Sequence, residues 1–117
     1  RHPNDEQVKC IDHHNDTSWD TVGLVREMTG VTTLTFGGAA DSAIETITFP
    51  FTAKKYLSGT LVAQVHYGLT DAQRRGWQFL MYGPTTTDID LHAYTGDGTN
   101  PDVGDTIITR WHIKVIA

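Results

Sequence analysis

The chain has 117 residues, 38% of them hydrophobic, which suits one domain built around one thin core. Nine Lys and Arg against fourteen Asp and Glu leave a formal net charge of −5, which argues against nucleic acid or an anionic membrane as partner, since such sites need a basic excess. A single cysteine, Cys10, excludes an intrachain disulfide, and no apolar run approaches the ~20 residues that span a bilayer.

Residues 1–21 are polar and carry no sustained period. They predict an extended N-terminal arm or linker outside the core, with Ile11 and Trp19 available to anchor it on a neighbour; a loose terminus explains the same letters. Residues 22–117 then form a single β-sandwich domain. The stretch VGLVREMTG (22–30) stands between two readings. Val22, Val25 and Met28 have partial helical spacing with Gly30 as a stop, while a short strand fits nearly as well and is preferred.

From residue 31 onward a two-residue alternation dominates, the period of strands with one buried face. VTTLTFGG sets Leu34 and Phe36 on one face with threonines opposite, and AIETITFPF sets Ile47, Phe49 and Phe51 against Ile44, Thr46 and Thr48. Pro50 has no N–H for a ladder and belongs at an edge or a strand end. GTLVAQVHYGL predicts Leu61, Ala63, Val65, Tyr67 and Leu69 inside, with Val62, Gln64 and His66 outside. LTDAQRRG reads as a brief helical turn or a loop tip. GWQFLMYG divides into Trp77, Phe79 and Met81 against Gln78, Leu80 and Tyr82, and DIDLHAYTG into Ile89, Leu91 and Ala93 against Asp88, Asp90, His92 and Tyr94. The closing DTIITRWHIKVIA separates Ile107, Thr109, Trp111, Ile113 and Val115 from Ile108, Arg110, His112, Lys114 and Ile116. Six or seven short strands with Gly-, Asx- and Pro-rich turns between them predict an all-β, antiparallel β-sandwich.

Motifs for catalysis are missing: there is no GxSxG, HExxH, P-loop or GxGxxG, and no HxH pair with the further ligands of a cupin metal site. Three groups of residues remain. Asp88, Asp90 and His92 share one strand face, where two carboxylates and an imidazole could bind a metal or act as acid and base; a solvated outer face is the plainer account. In GDGTNPDVGD, Asp97, Asn100, Asp102 and Asp105 offer oxygen ligands to calcium, although the spacing is not that of an EF-hand and an Asx–Gly turn explains the same residues. Tyr82 and Tyr94 share their faces with polar residues and so are better placed to stack on a sugar than Trp77 and Trp111, which fall in phase with the core; Arg74 and Arg75, at a predicted tip, could contact an acidic glycan or a neighbouring subunit, with plain solvation as the default.

The Thr-rich strands, the long hairpin SGTLVAQVHYGL…GWQFLMYG and the closing GDTIITRWHIKVIA are similar in layout to small jelly-roll domains of tailed-phage structural proteins and of carbohydrate-binding modules. The similarity covers roughly residues 31–117 and is one of pattern, so no residue set is transferred. It implies a jelly-roll type of sandwich and a non-catalytic structural or adhesive protein, located in a virion or other extracellular assembly: a capsid decoration protein, or a tail-fibre or appendage domain. Its partners would be copies of itself (a trimer, for instance), neighbouring structural proteins and a surface glycan, with no nucleic acid, no membrane insertion and no cofactor beyond the calcium considered above. Ile108, Arg110, His112, Lys114 and Ile116 on the last strand, with Trp19 in the arm, are the expected subunit contacts. The alternative is a secreted carbohydrate-binding module that works as a monomer.

Overall fold

The computed structural model describes residues 25–117, and the backbone alone of residues 8–13. Seven strands and one helical turn follow in order: β1 (Val8–His13), β2 (Val25–Thr35), β3 (Ser42–Thr48), β4 (Lys55–Tyr67), α1 (Asp71–Arg74), β5 (Gln78–Tyr82), β6 (Asp88–Tyr94) and β7 (Thr106–Ile116). They make two antiparallel sheets, β1-β2-β7-β4 and β3-β6-β5. The 22–30 stretch contributes to β2, so the strand reading holds from Val25 onward. Within the polar arm, Val8–His13 lies as an edge strand on β2, with Val8 opposite Gly30 and His13 opposite Val25. Ladder hydrogen bonds come from the backbone, so an edge strand can form without the alternation that marks a buried one. Trp19 lies outside the described residues.

The alternation read from the sequence is the alternation of burial. Met28, Leu34, Ile107, Trp111, Ile113 and Val115 of one sheet meet Ala43, Ile47, Ile89, Leu91 and Ala93 of the other in one core, all of them buried. Pro50 lies beyond the end of β3, itself an edge strand.

At the centre of this core is a polar pair. Thr32 and Thr109 face each other across β2 and β7. Trp111 Nε1 donates to Thr32 Oγ1 at 3.0 Å, and Thr109 Oγ1 donates to the Thr32 carbonyl at 2.7 Å. A buried N–H without an acceptor is costly, so the threonine is what lets the indole sit inside. Thr32→Val keeps the shape and removes the acceptor. It should lower unfolding free energy by about 1–3 kcal/mol in urea titrations.

One strand departs from the expected pattern. β4 pairs with β7 through two register irregularities, between Tyr56 and Ser58 and between Ala63 and Val65. Leu61 and Ala63 point inward as expected, but the extra residue at Gln64 inverts the alternation beyond it. Val65 and Tyr67 are therefore 40% and 59% exposed rather than buried, and His66 turns inward to meet the Trp77 ring edge-on, centroids 5.9 Å apart.

Chain crossings at the ends hold the sheets in place. Thr70 and Gln73 form a capping box around α1, and the Gln73 side chain, buried, donates onward to Thr99 Oγ1 at 3.2 Å. Gly96 N–H donates to the Gln73 carbonyl at 2.8 Å. These bonds fix α1 and the start of β5 against the end of β6, which matters for the surface described next.

Candidate functional site

The outward face of the β3-β6-β5 sheet collects most of the unusual side chains. Strand register arranges them in three rows: Ser42–Tyr94–Gln78, Ile44–His92–Leu80 and Thr46–Asp90–Tyr82. Tyr82 is 42% exposed, and Ile44 and Leu80 on either side of His92 are exposed as well. Tyr82 and His92 meet nearly at right angles, with ring centroids 4.3 Å apart and planes at 73°. His92 and Tyr94 lie 6.0 Å apart at 32°, and His92 Nδ1 is 3.2 Å from the Tyr94 hydroxyl. The Tyr94 phenol is pushed above its ordinary value, first by its hydrogen bond to Tyr82 and then by desolvation and by the negative charge that Tyr82 and Asp41 can carry. Asp90 Oδ1 accepts from Thr46 Oγ1 at 2.7 Å, and Asp88 Oδ1 accepts from Thr85 Oγ1 at 2.8 Å.

Tyr82 and Tyr94, picked out from sequence as sugar-stacking candidates, are therefore brought together, with His92 linking them. Arg75 is exposed at the Tyr94 end of the face, where its backbone packs on Gly96. Arg74 is ion-paired with Asp71 within α1. Ile44, Thr46, Gln78 and Leu80 were not singled out from sequence as members of this surface. Alternation showed that each points outward, but only strand order reveals that they flank the same residues of β6.

Asp88, Asp90 and His92 do share a face, and Asp88 and Asp90 each accept a hydroxyl donor from a neighbouring threonine. In the loop that offers oxygen ligands to calcium, carboxylates bond within their own turns. Asp97 Oδ1 accepts from the Thr99 N–H and hydroxyl at 3.0 and 2.7 Å, contacts that hold its carboxyl below the usual aspartate range. Asp105 Oδ2 accepts from the Asp102 N–H at 3.0 Å, and Asn100 is exposed. Asp97 and Asp105 thus tie down their own turns. Among the described residues no group of three or more His, Cys, Asp and Glu is arranged to hold a metal ion.

The last strand's outward residues belong to a central strand, between β2 and β4. Arg110 is exposed, Ile108 and Lys114 are half-buried, and Ile116 is buried. His112 Nε2 lies 2.7 Å from Glu27 Oε1, and Glu27 stands opposite Lys114 in the register. The expected basic ladder is in fact interleaved with an acid from β2, which no reading of β7 alone could reveal. A shallow cleft of about 200 Å³ opens elsewhere, between Phe49, Ala53, Lys55, Tyr56 and the Pro84–Thr86 turn.

No protein-family model matches this chain, and no curated protein or solved structure matches it either.

Proposed function

We propose that this chain is a non-catalytic β-sandwich of jelly-roll type that serves as a structural and adhesive domain of a virion or other extracellular assembly, a capsid decoration or tail-fibre domain, and contacts a surface glycan through its β3-β6-β5 face. The observation that carries the reading is the strip Tyr82–His92–Tyr94 bordered by Asp90 and Gln78. Ring faces cover the apolar face of a sugar, while carboxylate and amide groups satisfy its hydroxyls. The jelly-roll type is supported by nesting in the strand order: β2 pairs with β7, β3 with β6, and β4 runs on into β5 across the two sheets. A ribbon of antiparallel strands folded over on itself has that order.

Self-association is supported by β4. It is a 13-residue strand at the edge of its sheet, with Val62, Val65 and Tyr67 all exposed. Long apolar edges are normally covered. Sedimentation velocity at micromolar concentration should give a discrete homo-oligomer, and Val65→Lys, at a position already in solvent, should return it to monomer without lowering its melting temperature. A wild-type monomer at that concentration would overturn the assembly and favour the second reading, a monomeric carbohydrate-binding module, which the same β3-β6-β5 face supports. Screening of the wild-type chain on a glycan array tests adhesion in both cases; no bound glycan would remove both readings of that face.

A further inference from the structure

The following rests on the glycan-binding reading of the β3-β6-β5 face and names what that face selects. We propose that it binds short, soluble, neutral glycans, with one pyranose stacked on Tyr82 and its hydroxyls bonded to Asp90, and that it discriminates against acidic sugars and against flat crystalline polysaccharide.

Ring geometry bears on size. A flat polymer surface needs coplanar rings that stack on successive sugars of one chain. Here Tyr82 and His92 meet at 73°, so the rings form a corner, and Tyr82 is its exposed member. One stacked unit with a neighbour over Leu80 or Ile44 fills that corner.

Charge bears on class. The outward residues of β3, β5 and β6 include Asp88 and Asp90 and no Lys or Arg. Asp90 stands directly opposite Tyr82 in the ladder, so its carboxylate lies beside any sugar stacked on that ring. An acidic sugar would bring a second carboxylate there, while Arg75 sits at the other, Tyr94 end of the face.

Hydrogen-bond polarity points the same way. Tyr82 is exposed, so its hydroxyl is open to donate to a ligand as well as to accept. Asp90 Oδ1 takes the Thr46 hydroxyl, and the carboxylate keeps further lone pairs for a ligand donor. The face thus presents one donor beside one charged acceptor, and a neutral sugar hydroxyl can both accept and donate.

The test is calorimetric titration of the full chain with lactose, cellobiose and mannobiose, and with 3′-sialyllactose as the acidic probe, alongside co-sedimentation with microcrystalline cellulose. Expected are saturable binding of at least one neutral disaccharide, at least tenfold weaker binding of the sialylated probe than of lactose where lactose binds, and no pelleting with cellulose. Tyr82→Ala should weaken the neutral ligand at least tenfold with an unchanged melting curve, and Tyr67→Ala, at an exposed tyrosine of the other sheet, should bind as wild type does. Equal or tighter binding of sialyllactose, or pelleting with cellulose, would overturn the selectivity while leaving adhesion intact. Neutral binding that survives Tyr82→Ala would overturn the site. No binding of any probe at millimolar concentration, together with an empty array, would overturn both the inference and the reading beneath it.

Discussion

Gly96→Ala is expected to destabilise the chain by about 3 kcal/mol or more, a cost at the upper end for overpacking, and to abolish the glycan binding proposed for the β3-β6-β5 face. A methyl group at residue 96 would stand 1.5 Å from the Arg75 carbonyl oxygen and 2.6 Å from its carbon. Both are backbone atoms, so no side chain can rotate away to relieve the overlap. The α1–β5 connection must move off β6, and Gly96 then loses its 2.8 Å bond to the Gln73 carbonyl. Gln78 and Tyr94, which face each other two residues inside this junction, would separate with it. Urea denaturation checks the stability, and glycan titration checks the site. Gly98→Ala is the control for glycine loss in the same loop: nothing lies near its missing Cβ, although its φ of +75° adds local strain. A Gly96→Ala chain as stable as wild type would mean that the two segments are not in contact.

Trp111→Ala should cost about 3–5 kcal/mol, as large aromatic truncations in cores do. The residue is only 1% exposed and lies at the centre of β7, the strand that joins β2 to β4. Against a typical total of about 5–15 kcal/mol this leaves a marginal fold, visible as a fall in melting temperature of roughly 10–20 °C. Trp111→Phe separates the two contributions. It retains most of the apolar volume but removes the N–H that Thr32 accepts, so it should cost much less than Ala. Because Trp111→Phe and Thr32→Val delete the same hydrogen bond, their double mutant should be more stable than the sum of the two losses predicts. Simple additivity would show that the bond contributes nothing.

The strands most legible in the sequence are those whose alternation is unbroken. Phe79 and Met81 against Leu80 and Tyr82, or Leu91 and Ala93 against His92 and Tyr94, are sorted correctly by period alone, because a strand with one buried face has no other way to place them. β4 was misread past Ala63 because a bulge adds a residue without leaving a compositional mark. The letters QVHY are as compatible with one phase as with the other. β1 escaped notice because backbone pairing at an edge asks nothing of side-chain pattern. Arg110, His112 and Lys114 looked like a basic ladder because Glu27, which sits among them, comes from 83 residues before Arg110 in the chain.

What the sequence by itself determined is the class of fold and the inward or outward direction of most side chains from residue 31 onward. Both follow from local rules: a period of two, and turn residues that interrupt it. It also identified Tyr82 and Tyr94 individually, since each shares its strand face with polar residues. Only the tertiary structure decided that these two share a surface with His92, Asp90, Gln78 and Thr46, and that Asp97 and Asp105 close their own turns. The physical reason is that strand order and register are set by non-local pairing, which sums contributions over whole strands. No stretch of ten residues contains that information, and a surface assembled from three strands consists of little else.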